Sequence, residues 1–308
     1  MTTNTLSQNP LHKLEKLRIR QSFDAAAEHY DDVAVLQRET GERILERLEL
    51  VRLQPCRILD VGSGTGVCSQ ALGKQYEKAH VISLDIAPRM LSFARQRNGW
   101  LHKQLNKWKA KNSYVCADTE QLPIADHSIE LIFSNATLQW CDDLDHTFAE
   151  FRRVLKPGGL LMFSTFGPDT LKELRQSWQV ADADASETVH VHDFVDMHDI
   201  GDAMLRAGLI DPVMDVENFT LTYPDVYQLM RELKTLGAHN TANERRHTLT
   251  GKTRLQKMAA AYEKLRCDAA LPVTYEVVYG HAWAPVVAGK NEIAVNMPVN
   301  PINPGVRR

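Results

Sequence analysis

The chain has 308 residues, 44% hydrophobic and 24% charged, a balance that supports a sizeable core and excludes general disorder. A net charge of −3 gives no reason to expect nucleic-acid binding, no apolar run approaches the ~20 residues of a membrane helix, and Met1–Pro10 lacks the apolar stretch of a signal peptide. The five cysteines, Cys56, Cys68, Cys116, Cys141 and Cys267, form no CxxC pair and no zinc spacing, so they read as reduced thiols of a cytoplasmic protein.

Residues 11–50 carry two helical patterns, one through Leu14, Leu17, Phe23 and Ala27 and one through Val35, Leu36, Ile44, Leu45 and Leu48, predicted as a helical cover. From Arg57 strands and helices alternate. Strand Ile58–Val61 is followed by a Gly-rich turn, helix Cys68–Tyr76, strand His80–Leu84 and helix Pro88–Arg97. Strands Tyr114–Ala117 and Leu131–Asn135, helix Leu144–Leu155 and strand Leu160–Phe166 come next, with Pro157-Gly158-Gly159 ending the helix. Such alternation predicts one α/β domain over residues 1–289, a doubly wound, mostly parallel sheet with helices on both faces. Helices near Leu171–Val180 and Asp199–Ala207 precede two strand-like segments, Val213–Tyr223 and Val273–Trp283. The helical pattern of 224–272 reads as a lid inserted into a sheet core of residues 57–223 and 273–284, and the Asn- and Pro-rich tail 290–308 reads as loose.

Asp60-Val61-Gly62-Ser63-Gly64-Thr65-Gly66 places an acid at a strand end before G-x-G-x-G, where glycines let the backbone turn tightly and approach a ligand. A dinucleotide fingerprint would read G-x-G-x-x-G, but residue 67 is Val and the third glycine comes one residue early. Asp85 ends the next strand, where an acid can accept both ribose hydroxyls of a nucleoside cofactor. Asp118 follows the third strand and can take an adenine amino proton, with Thr119 or Ile86 against the ring. Asn135 ends the fourth. Ligands of such sheets bind outside the carboxyl ends of the strands, where these features converge.

These residues, with Arg153-Val154-Leu155-Lys156-Pro157-Gly158-Gly159 downstream, resemble class I S-adenosylmethionine (AdoMet)-dependent methyltransferases. Phe23–Tyr30 (FDAAAEHY) with Leu36-Gln37-Arg38-Glu39, Ser134–Cys141 (SNATLQWC), Phe163–Thr170 (FSTFGPDT), Met197–Asp202 (MHDIGD), Leu233–Ala238 (LKTLGA) and Thr274–Trp283 (TYEVVYGHAW) together are similar to the malonyl-acyl-carrier-protein O-methyltransferases of biotin synthesis. The resemblance implies a Rossmann-like sheet with an antiparallel last strand. It implies AdoMet as methyl donor, leaving as S-adenosylhomocysteine, with no metal. The implied acceptor is the free carboxylate of a malonyl thioester on the phosphopantetheine of acyl carrier protein. Asn135 would lie beside the cofactor's methionine, and Tyr30, which otherwise packs on Phe23, would lie over the methyl-donor site. Arg20, Arg38 and Arg153 are candidates for a bidentate contact to the malonyl carboxylate.

An acidic carrier protein would suit two basic stretches. Ile86–Ala117 holds no acid, and its apparent insertion 98–112 carries Lys103, Lys107, Lys109 and Lys111; the lid adds Arg245, Arg246, Lys252, Arg254 and Lys257. A quinone- or small-acid-type methyltransferase remains open, as does a non-methylating AdoMet-fold assembly factor such as the arginine hydroxylase of respiratory complex I assembly. Val189-His190-Val191-His192-Asp193, with His198 and Asp199, has metal-ligand residue types, yet Asp196-Met197-His198-Asp199 reads as a helix start capped by Asp196.

Overall fold

The structure, a computed structural model, describes residues 15–105, 112–182, 190–191, 193–238 and 251–286. The tail 290–308, Arg245, Arg246, Lys107, Lys109, Lys111 and His192 lie outside them, as does the side chain of Lys103. Three helices open the described chain where two patterns were expected: α1 (Lys16–Ala26), a single turn α2 (Tyr30–Val33) and α3 (Val35–Glu49). The extra turn exists because Ala34, at φ −78° and ψ 47°, breaks the path between α2 and α3.

The sheet holds β1 (Arg57–Val61), β2 (His80–Asp85), β3 (Asn112–Cys116), β4 (Ile129–Ser134), β5 (Leu155–Phe166), β6 (Ile210–Tyr223) and β7 (Leu271–Trp283), in the order β3-β2-β1-β4-β5-β7-β6. β1 to β5 are parallel, and β7 runs antiparallel between β5 and β6, so the expected doubly wound sheet with an antiparallel last strand is what forms. Helices α4 (Val67–Gln75), α5 (Pro88–Leu105), α6 (Leu144–Val154), α7 (Lys172–Ala181) and α8 (Met197–Arg206) join or flank the strands, and α9 (Val226–Thr235) and α10 (Lys252–Glu263) lie between β6 and β7 in sequence.

Ile58 and Leu59 are both fully buried, as a strand covered on both faces requires. Their side chains alternate: Ile58 joins a core with Leu48, Phe133, Trp178 and Tyr262, while Leu59 joins another with Ile132, Phe148, Phe151 and Met204. Aspartates start three helices: Asp143, Asp196 and Asp225 accept from the backbone N–H of His146, His198 and Gln228 at 2.8–2.9 Å.

Three boundaries differ from the sequence reading. α5 continues to Leu105, so the apparent insertion begins as helix. β6 starts at Ile210 rather than Val213. Pro157-Gly158-Gly159 lies inside β5, which begins directly after α6; the register shifts between Ile129 and Leu131, and Gly158, at φ +74°, donates its N–H to the Ala284 carbonyl at 2.9 Å. Strand pairing absorbs the Pro-Gly-Gly as a bulge. No helix among the described residues is long and apolar enough to cross a membrane.

Candidate active site

Strand order reverses between β1 and β4, which opens a crevice at their carboxyl ends. Gly62 leaves β1 there at φ +68°, and a Cβ on it would fall 1.9 Å from Thr137 Oγ1, so only glycine fits. Gly64 donates its N–H to Asp85 Oδ2 at 2.8 Å and lines the crevice beside Gly62. Gly66 serves packing instead: a Cβ there would meet the Ala94 Cβ of α5 at 2.7 Å.

Asp60 does not face the main crevice. Its side chain is buried and accepts from Ser69 Oγ at 2.5 Å, with Ser69 also bonded to Ser83. Burial pushes its carboxyl up to about 7 against the stabilising Ser69 bond. Asp85 sits at the end of β2 with Oδ1 accepting from the Ala87 N–H at 2.8 Å. Burial raises it to about 6, and the backbone N–H groups of Ala87 and Gly64 pull the other way. Asp118, Thr119 and Ile86 line the same end of the crevice. Asp118 turns Oδ1 toward the Glu120 N–H at 3.1 Å.

The N-terminal helices close over this crevice and are anchored at three places that the sequence did not reveal. Lys16 pairs with Glu120, donates to the Trp140 carbonyl at 2.9 Å and lies 3.5 Å from Asp118. Asp31 accepts from Thr65 Oγ1 at 2.6 Å and from Arg97, whose Nε donates to the Thr65 carbonyl at 3.0 Å. Asn135 donates Nδ2 to the Gln37 carbonyl at 2.7 Å, while its Oδ1 accepts from Thr40 at 2.9 Å and Ser164 at 2.7 Å. Asn135 therefore fastens α3 to the sheet as well as lining the cavity. No local pattern signals Lys16, Asp31, Thr65, Arg97 or Thr40, because the bonds that anchor the cover join residues 32 to 124 positions apart.

Tyr30 forms part of the cavity wall, edge-on to Phe23 at 6.5 Å, and Phe23 in turn meets Trp140 edge-on at 5.3 Å. Burial first, then Asp85 and Asp31, push the Tyr30 phenol well above its ordinary value, so it stays protonated at neutral pH. The cavity holds about 370 Å³; its wall joins Gly62, Asp85, Asp118 and Tyr30 to the apolar Phe166, Trp178, Phe194, Leu221 and Tyr275, with Glu232 and Lys234 from α9. A smaller recess adjoins it, walled by Gln37, Arg38, Asp60, Ser63 and Gly64. Buried Ser63 Oγ and Gln37 Oε1 find no hydrogen-bond partner there among the described residues, as a site built for a polar ligand would leave them.

The arginines expected to hold a carboxylate are not brought to the cavity. Arg153 bonds Glu150 and Asp126 and donates to the Leu122 and Ile124 carbonyls, pinning the end of α6. Arg20 is exposed and away from the cavity wall. Arg38 is exposed at the smaller recess and donates to the Asp31 carbonyl at 3.1 Å. Among the described lysines and arginines, Lys16 and Lys234 reach the cavity wall; Lys234, near the end of α9, forms no ion pair among the described residues. Of the basic stretches, Arg97 is taken by Asp31, Arg89 faces Glu28 and Arg254 pairs with Asp182. His190 also bonds Asp182, at 2.7 Å, and stacks on Trp178 at 3.9 Å, while His198 bonds the capping Asp196.

Residues 59–163 match the methyltransferase domain family, a span that holds the Gly turn, Asp85, Asp118 and Asn135. The chain is 52% identical to the malonyl-[acyl-carrier protein] O-methyltransferase of Gallionella capsiferriformans, over 88% of this chain and 92% of that one. To the protein of the same name from Nitrosospira multiformis it is 47% identical, over 92% and 94%. The fold is shared with Haemonchus contortus phosphoethanolamine N-methyltransferase 2, solved in complex with S-adenosyl-L-methionine, at a TM-score of 0.54 and 20% identity over 87% of this chain and 60% of that one. With a glycine turn after β1, acids at or just past the ends of β2 and β3, and similarity of this order over 88–92% of its length, the chain belongs to the malonyl-[acyl-carrier protein] O-methyltransferases and uses AdoMet as its methyl donor.

Proposed function

We propose that this protein methylates the free carboxylate of a malonyl thioester carried on acyl carrier protein, giving the methyl ester and S-adenosylhomocysteine for the pimeloyl stage of biotin synthesis. The observation that carries this reading is one cavity whose wall holds Asp85 and Asp118 together with Tyr30 and the apolar Phe166, Trp178, Phe194, Leu221 and Tyr275. Asp85 accepts the ribose hydroxyls, Asp118 takes the adenine amino proton, and Thr119 and Ile86 hold the ring. Ser63 and Gln37 serve the amino-acid end of the cofactor, with Arg38 on the same wall as counter-charge to its carboxylate. When bound, AdoMet supplies an electrophilic methyl on a sulfonium.

A carboxylate acceptor has a pKa of about 4 and needs no base at neutral pH, which suits a wall where the phenol of Tyr30 stays protonated. The residues then act by orientation and by excluding water, contributions worth up to ~7–11 kcal/mol in favourable cases. Tyr30, Phe23 and Trp140 close the roof. Lys234 supplies the counter-charge to the acceptor in place of the expected arginines. The carrier protein meets the basic residues left facing solvent, Lys252 among them. Mass spectrometry of malonyl-carrier protein incubated with AdoMet and enzyme tests this: one added methyl on the malonyl group is expected. A product methylated elsewhere, or none, overturns it.

A further inference from the structure

We propose that Asp31 is a positioning residue for methyl transfer: gripped by Thr65 and Arg97, it fixes the neighbouring Tyr30 ring over the reacting groups. The proposal rests on the reading of Tyr30 as the cover of the methyl-donor site.

α2 cannot hold Tyr30 by itself. It is one turn of four residues, its N-cap His29 makes no side-chain cap bond, and none of its residues is fully buried, Tyr30 packing only in part against Ala26, Ala27, Ala87 and Met90. A turn that short does not persist without outside support. The support comes from the residue next to Tyr30. Both carboxylate oxygens of Asp31 are used, Oδ1 by Thr65 Oγ1 at 2.6 Å and Oδ2 by Arg97. Arg97 closes the ring by donating to the Thr65 carbonyl at 3.0 Å, and Arg38 holds the Asp31 carbonyl at 3.1 Å.

Thr65 belongs to the Gly turn and is itself buried, so the cover is tied to the same loop that Gly62 and Gly64 present to the cofactor. Asp31 and Arg97 keep 39% and 31% of their side chains exposed, so the pair adds little to global stability. What it adds is direction. The other groups packed on Tyr30, an edge-on Phe23 at 6.5 Å and the small cluster of Ala26, Ala27, Ala87 and Met90, are apolar and offer its hydroxyl no directional bond.

The test is single-turnover methylation of malonyl-carrier protein at saturating AdoMet, so that changes in cofactor affinity drop out. Thr65→Val keeps the shape and loses the hydroxyl; Thr65→Ser keeps the hydroxyl; Asp31→Asn loses the charge. Thr65→Val and Asp31→Asn are expected to slow the step by about tenfold to a hundredfold, with little change in melting temperature, and Thr65→Ser to restore it. In a Tyr30→Ala background, Thr65→Val should add less than about twofold, because the group it orients is gone. If Tyr30→Ala slows the step and Thr65→Val multiplies the loss equally in both backgrounds, the positioning role is overturned while Tyr30 keeps its place. If Tyr30→Ala leaves the rate unchanged, the reading of Tyr30 falls and takes the proposal with it.

Discussion

Lys16 and Trp140, 124 residues apart in the chain, meet at 2.9 Å where the ammonium of Lys16 donates to the Trp140 carbonyl. The same ammonium pairs with Glu120 and approaches Asp118, so one side chain on α1 ties the cover to the Asp118 end of the crevice. Lys16→Met keeps the stem and removes the charge, leaving two acids facing each other without their cation. Losing a charge-assisted bond costs about 1.5–3 kcal/mol, so S-adenosylhomocysteine should bind roughly tenfold or more weakly by calorimetry. Unchanged affinity would show that the cover closes without this anchor.

Asp85, as the proposed ribose acceptor, should make cofactor binding depend on pH. Burial raises its carboxyl to about 6 in the free protein, and hydroxyl donors favour its ionised form. Affinity should therefore be highest above pH 6 and fall as pH drops through it, by at most about tenfold per pH unit. Calorimetric titrations at pH 5, 6 and 7.5 would read this directly. Asp85→Asn should bind weakly at every pH and lose the slope; a flat response in the unaltered protein would sink the ribose assignment.

Asp60 predicts a gain in stability. Its folded pKa, about 7, lies above the ordinary 3.8, so the folded state binds the proton more tightly. The stability this confers is fully present below the ordinary value and is lost as pH rises through 7. Asp60→Asn keeps the shape and an acceptor for Ser69 and carries no charge to bury. Its melting temperature should match the parent near pH 4 and exceed it at pH 8, an advantage that scans across pH will show or refute.

Arg153 and Lys234 should separate stability from substrate binding. Arg153→Met breaks bonds to Glu150 and Asp126 in a partly exposed network, a loss of about 1–3 kcal/mol in unfolding free energy, with kcat/KM preserved below the melting transition. Lys234→Met should do the reverse, raising KM for malonyl thioesters about tenfold while leaving stability and AdoMet affinity alone. A raised KM in the Arg153 variant would return it to the substrate site.

The alternation of apolar runs from Ile58 onward determined the doubly wound sheet, because a parallel strand buried on both faces has to be apolar and has to be joined to the next by a helix. The same logic located Gly62, Gly64, Asp85, Asp118 and Asn135, since each lies at or just past a strand end and strand ends are readable locally. The end of α6 was less legible: the Pro-Gly-Gly after it reads as a stop, whereas pairing with β4 draws it into β5 as a bulge. The cover was read as helical, yet what holds it was not, because the partners of Lys16, Asp31 and Asn135 are brought close only by folding. For the arginines the charge was visible and the destination was not. Arg153 went to Glu150 and Asp126 because those carboxylates lie within its reach once α6 has docked, and an ion pair is settled by distance in the fold, which residue type and spacing along the chain do not encode.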